Sequence, residues 1–86
     1  MLRVEVAQLA AELLRDLEHR GLIVKTESVD KKRNARHWHV GFAKRPGVLE
    51  ITDLGNTSEL KVASNRDGGW AEALVRELSS LPSARS

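Results

Sequence analysis

Apolar residues at intervals of three and four predict an amphipathic helix near the start of the chain. The stripe consists of Val6, Leu9, Ala10, Leu13, Leu14 and Leu17. This spacing places one apolar face on a helix of 3.6 residues per turn. His19 and Arg20 lie where a helix dipole favours cations, and Gly21 can adopt a left-handed cap. We therefore predict a first helix over residues 4–20.

The middle of the chain alternates between apolar and polar residues, as β-strands do. Residues 22–29 and residues 36–44 are predicted strands, separated by a polar, basic loop. In the second strand Trp38, Val40 and Phe42 share one face. The opposite face of that strand carries His37, His39, Gly41 and Ala43.

Two turns predict how the following strands pair. Gly55-Asn56 is a two-residue hairpin loop that places Ile51 opposite Leu60 and Glu50 opposite Lys61. Apolar pairs then share one face, and the opposite charges meet on the other. Pro46-Gly47 fits the centre of a type II turn. Extended from that turn, the register places Phe42 opposite Ile51, with His39, Gly41, Ala43, Glu50 and Thr52 on the opposite face.

A second helix is predicted over residues 68–81, with Asp67 as its N-cap. Its apolar stripe consists of Trp70, Ala71, Leu74, Val75, Leu78 and Leu81. The expected fold is α+β: a helix, an antiparallel sheet of three or four strands, and a helix. Both helices pack on one sheet face, which leaves the other face to water or a partner. We expect a single domain over residues 1–81 and a flexible tail over residues 82–86.

Composition narrows the possible functions. Apolar residues make up 41% of the 86-residue chain and charged residues 30%, which is typical of a folded domain. The chain has no cysteine, so it forms neither a disulfide nor a thiolate metal site. The apolar runs are too short to span a bilayer, so we expect a cytoplasmic protein without membrane contact. The net charge of +2 is small for a nucleic-acid-binding protein.

Basic residues nevertheless cluster around the second predicted strand. The candidate nucleic-acid or anion contacts are Lys31, Lys32, Arg33, Arg36, Lys44 and Arg45. Such a cluster either contacts phosphates or keeps a sheet edge soluble. A further candidate, Arg66, lies before Gly68 and Gly69, where helix amides can bind an anion or the glycines simply form a turn. The mixed charges of the open face, Lys25, Glu27, Glu50, Glu59 and Lys61, indicate cross-strand pairing.

His37 and His39 lie two residues apart, so both side chains project from the same strand face. They are candidates for acid–base catalysis, for a phosphate contact or for a metal pair, and are otherwise a plain exposed pair. Two histidines supply half of a zinc site, and the sequence offers no obvious third and fourth ligands. The sequence therefore predicts no metal and no other cofactor.

Two segments support a comparison with a known fold. They are Leu13 to Gly21, as the end of a first helix, and Arg36-His37-Trp38-His39, on a central strand. This order resembles the double-stranded-RNA-binding fold and, within it, the HicA family of small toxins. The resemblance implies cleavage of messenger RNA by a histidine on the sheet, here His37 or His39. Three hypotheses follow: a nucleic-acid-binding module, a protein-interaction or homodimerisation module that uses the open sheet face, and a small ribonuclease.

Overall fold

A computed structural model describes residues 2–62 and 69–80 of the chain. The elements within those residues are β1 (Leu2–Val6), α1 (Ala10–His19), β2 (Ile23–Asp30), β3 (Ala35–Gly41), β4 (Leu49–Asp53), β5 (Ser58–Val62) and α2 (Trp70–Ser80). The strands form one antiparallel sheet in the order β1-β5-β4-β3-β2. The α+β class is confirmed, but the sheet has five strands where three or four were expected.

The extra strand lies at the start of the chain, where the predicted helix was wrong. Residues 2–6 alternate apolar and charged side chains and pair with β5 as an edge strand. Helix α1 begins only at Ala10, after Leu9 in extended conformation. Val6 fits both the alternation of a strand and the apolar stripe of a helix, because periods of 2 and 3.6 residues coincide at some positions of a short segment. The hydrogen bonds available along β5 favour the strand.

Both helices cover the same face of the sheet and enclose one core, which is mainly aliphatic. The core side chains are Val6, Ala10, Leu13, Leu17, Leu22, Trp38, Val40, Leu49, Ile51, Leu60, Val62, Trp70, Ala71, Val75 and Leu78. The predicted inward orientation of Trp38 and Val40 is confirmed. Phe42 is half-buried and packs at the margin of this core. No helix of the described residues lies on the opposite sheet face.

The β4–β5 hairpin forms as the sequence predicts. The Leu54 amide donates to the Thr57 carbonyl over 3.0 Å, which closes the two-residue loop. Gly55 adopts a φ of +97°, a conformation that L residues rarely accept. Glu50 lies opposite Lys61 and Ile51 opposite Leu60, as expected.

The predicted register between β3 and β4 was wrong by four residues. Trp38, rather than Phe42, lies opposite Ile51. Strand β3 ends at Gly41 because Phe42 leaves the sheet to pack edge-on against Trp70, with ring centroids 4.9 Å apart. The indole Nε1 of Trp70 also donates to the Pro46 carbonyl over 2.8 Å, which holds the connection 42–48 against α2. Because the shift is an even number of residues, the paired side chains of β3 and β4 keep their predicted faces.

Some expectations lie outside the described residues. These are Arg66 as an anion contact, Asp67 as a helix cap, Gly68 and Leu81 as the ends of the second helix, and the tail 82–86. Within residues 2–62 and 69–80, neither helix has the length and apolar character needed to cross a bilayer.

Candidate metal centre

Two cross-strand rows of side chains run over the helix-free face of the sheet. One row contains Ser28, His37, Thr52, Glu59 and Glu5. The next row contains Thr26, His39, Glu50, Lys61 and Arg3. Neighbouring rows are two residues apart along each strand, so their side chains touch. The centre of the two rows brings His37, His39 and Glu50 together.

Three polar atoms converge at this point. Nε2 of His37 lies 3.1 Å from Nε2 of His39. Oε1 of Glu50 lies 3.2 Å from Nε2 of His37 and 3.5 Å from Nε2 of His39. The two imidazole rings meet edge to face, with centroids 5.0 Å apart. Each residue therefore directs one ligand atom towards the same small volume.

Thr52 fixes the orientation of the His37 ring. Its hydroxyl Oγ1 lies 2.7 Å from Nδ1 of His37, on the side of the ring away from the convergence point. Thr52 is only 2% exposed, so the contact is shielded from water. When Nε2 serves as a metal ligand, Nδ1 keeps its proton and donates to this hydroxyl, an arrangement typical of metal-binding histidines.

The cluster lies at the surface without being fully exposed. The side chains of His37 and Glu50 are 19% and 18% exposed, whereas that of His39 is 40% exposed. A plain exposed pair was one of the alternatives expected for the two histidines, but the strands on both sides cover much of His37. The sheet forms the floor of the site, and its upper side faces water.

The size of the triangle matches the coordination of a small cation. Zinc binds imidazole nitrogen and carboxylate oxygen at about 2.0–2.2 Å, so tetrahedral geometry separates its ligand atoms by about 3.3–3.6 Å. The three separations here are 3.1, 3.2 and 3.5 Å. An ion about 0.7 Å above the plane of the triangle reaches all three atoms and keeps a fourth position directed away from the sheet.

The predicted basic cluster is divided between two ends of the sheet. Lys31 and Lys32 lie in the turn before β3, and Lys44 and Arg45 lie in the connection after it. Seven residues of extended strand separate these groups, a distance of about 20 Å. Arg45 packs over the Phe42 ring, with its guanidinium carbon 5.2 Å from the ring centroid.

The two arginines of the cluster already have acidic partners. Arg33 bonds to Glu59 over 3.2 Å and to Asp30 over 2.9 Å. The hydrogen bond that Arg33 donates to Glu59 raises the pKa of the guanidinium, and the hydrogen bond that Arg33 donates to Asp30 lowers the pKa of that carboxyl. Arg36 pairs with Glu27 and lies over the Trp38 ring. Carboxylates therefore already pair with the two guanidinium groups that were expected to contact phosphate. Nucleic-acid binding through Lys31, Lys32, Arg33 and Arg36 stays a prediction.

One predicted face assignment was wrong. Lys25 and Glu27 are two residues apart and were both placed on the open face. A β-bulge interrupts β2 between Val24 and Thr26, so the alternation changes phase there. Glu27 consequently lies opposite Trp38, at the edge of the helix-covered face, while Lys25 remains on the histidine face.

No family model, curated protein or solved structure matches this chain. The resemblance to the double-stranded-RNA-binding fold and to HicA toxins stays a prediction, as does homodimerisation through the open sheet face.

The strand alternation pointed to both histidines, but Glu50 was not predicted as their partner. Glu50 was missed because the predicted register between β3 and β4 was wrong. With Phe42 opposite Ile51, Glu50 would face Ala43; with Trp38 opposite Ile51, it faces His39. Strand pairing across a seven-residue connection is not fixed by turn geometry, unlike pairing across the Gly55-Asn56 loop.

Proposed function

We propose that this chain is a metal-binding domain that holds a divalent transition-metal ion, with zinc preferred, through His37, His39 and Glu50. The convergence of their three ligand atoms carries the proposal. Two imidazoles and one carboxylate suit zinc and neighbouring transition metals, whereas calcium and magnesium favour all-oxygen sites. Three protein ligands leave a fourth position, which is the arrangement of sites that bind or activate an exogenous ligand.

Hydrogen bonding alone does not account for the triangle. A favourable hydrogen bond joins one donor and one acceptor. A carboxylate oxygen only accepts, and each Nε2 either donates or accepts, so with Glu50 as a carboxylate two of the three atoms share the same role. Every tautomer of His37 and His39 then sets like against like at one edge of the triangle. A cation at the centre accepts a lone pair from each atom and removes this conflict.

The same distances argue against a metal-free acid–base pair. Two histidines that act on opposite sides of a reacting atom, each about 3 Å from it, hold their nitrogens about 6 Å apart. The Nε2 atoms of His37 and His39 are 3.1 Å apart and point to one place. This geometry favours one ion bound by both nitrogens over two separate proton-transfer roles. RNA cleavage by His37 or His39 stays a prediction.

Ligand binding at the metal is proposed rather than hydrolysis. Hydrolysis by a zinc-bound water usually employs a free carboxylate as general base. The other carboxylates on this face of the described sheet are already engaged: Glu5 accepts from the Thr57 hydroxyl over 2.6 Å, and Glu59 and Asp30 both pair with Arg33.

Zinc titration of the metal-free chain against a chromophoric chelator tests the proposal. The wild-type chain is expected to bind one equivalent. His39→Ala and Glu50→Ala are expected to lose more affinity than the 10- to 100-fold that an outer hydrogen-bond partner contributes. His19→Ala is the matched control, since His19 lies on α1 outside the site. Absence of zinc binding by the wild type, or equal affinity in His39→Ala, would overturn the proposal.

A further inference from the structure

A lysine is placed beside the candidate metal centre by an irregularity in β2. Val24 lies opposite Val40 and Thr26 opposite His39, which leaves Lys25 as the extra residue of a β-bulge. Strict alternation from Thr26 would place Lys25 on the helix-covered face. Bulges are frequent near functional sites, where they redirect a side chain. Here the bulge turns Lys25 onto the face of the two histidines.

Gly41 provides the space for this lysine. It occupies the next position after His37 and His39 on the same face of β3. A Cβ atom at Gly41 would lie 3.2 Å from Cε and 3.4 Å from Nζ of Lys25, and 2.8 Å from the Gly47 carbonyl oxygen. The lysine side chain therefore lies across the bare backbone of Gly41, about 7 Å along the strand from His39.

The charges around the centre favour an anion. The third ligand, Glu50, is directed to the proposed ion, and Glu59 pairs with Arg33. Lys61 flanks the centre opposite Glu50, and Lys25 flanks it beyond His39. A divalent ion with an open position, and an ammonium group beside it, together present two positive contacts to one ligand.

We propose that the open position of the metal and the ammonium of Lys25 together bind the phosphate group of a small ligand. One phosphate oxygen completes the coordination of the ion, and a second accepts a charge-assisted hydrogen bond from Nζ of Lys25. Phosphate fits better than a carboxylate because a phosphate monoester carries a charge of about −1.5 to −2 on three acceptor oxygens, which suits two cationic contacts. This inference rests on the proposed metal binding.

Calorimetric titration of the zinc-loaded chain with inorganic phosphate, after removal of free zinc, tests the inference. Lys25→Met is expected to weaken phosphate binding about tenfold or more, the usual effect of losing a hydrogen bond to a charged group. Lys25→Arg is expected to restore much of the binding. Arg15→Met makes the same change in net charge on the exposed side of α1, across the sheet from the site, and is expected to bind phosphate like the wild type.

Zinc affinity is measured first for every variant, which separates the two proposals. If Lys25→Met keeps its zinc and binds phosphate as tightly as the wild type, the role of Lys25 is wrong while metal binding stands. If the zinc-loaded wild type binds acetate but not phosphate, the ligand class is wrong. Phosphate binding by the metal-free chain at equal strength would also overturn the inference.

Discussion

Replacing Thr52 with valine removes one hydroxyl from the site while keeping the shape of the side chain. Oγ1 of Thr52 lies 2.7 Å from Nδ1 of His37, and Thr52 is 2% exposed. In the metal-bound state Nδ1 carries the proton and donates to this hydroxyl. In Thr52→Val that N–H has no acceptor, and the His37 ring loses the contact that directs Nε2 to the ion.

The expected effect on zinc affinity is large compared with the effect on folding. Outer hydrogen-bond partners of metal-bound histidines contribute about 10- to 100-fold in affinity. Because Thr52 is shielded, water replaces the hydroxyl poorly, so we expect a loss of about 30- to 100-fold, or about 2.0–2.7 kcal/mol. In the metal-free chain the lost hydrogen bond costs about 0.5–1.5 kcal/mol, part of which valine recovers through its preference for strands.

Competition between the chain and a chromophoric zinc chelator measures the affinity, and thermal unfolding of the metal-free chain measures the stability. Thr26→Val is the matched control, because Thr26 lies on the same face opposite His39. We expect its zinc affinity to stay within threefold of the wild type. Equal affinity of Thr52→Val and wild type, or equal losses in both variants, would refute the orienting role of Thr52.

Three further predictions concern the fold. Leu13→Ala is expected to cost about 2–5 kcal/mol, since Leu13 is 0% exposed; an unchanged urea midpoint would contradict its core position. Gly55→Ala is expected to lower the unfolding free energy by about 1–2 kcal/mol through its φ of +97° alone, because a Cβ there meets no atom within 4 Å; equal melting temperatures would contradict this. The pKa of Asp30 is lowered chiefly by its hydrogen bond from Arg33, so this stabilisation is present above the usual carboxyl range and is lost as pH falls through the lowered pKa. In Arg33→Gln the Asp30 carboxyl is expected to titrate at a higher pH by NMR, and an unchanged titration would contradict the contact.

Local signals predicted most of the sheet. The Gly55-Asn56 loop fixed the β4–β5 register because a two-residue turn leaves one pairing. The inward orientation of Trp38 and Val40 followed from alternation, and this alone placed His37 and His39 together on the opposite face. Because side chains alternate with a period of two, the predicted face of a residue stays correct when the register is wrong by an even number of residues.

Non-local packing determined what the sequence analysis missed. Phe42 continues the alternation of β3 yet leaves the strand for Trp70, a contact between residues far apart in the chain. That departure moves Glu50 opposite His39 and completes the ligand set. Likewise the bulge at Lys25 has no marker in the sequence, since neither glycine nor proline accompanies it in β2.

Anomalous diffraction at the zinc edge, from crystals grown with one equivalent of zinc, examines the metal centre most directly. The geometry predicts one strong peak about 2.0–2.2 Å from Nε2 of His37, Nε2 of His39 and Oε1 of Glu50, with a non-protein ligand in the remaining position. A map without density between these three side chains, or with the ion held elsewhere on the chain, would contradict the existence of this centre.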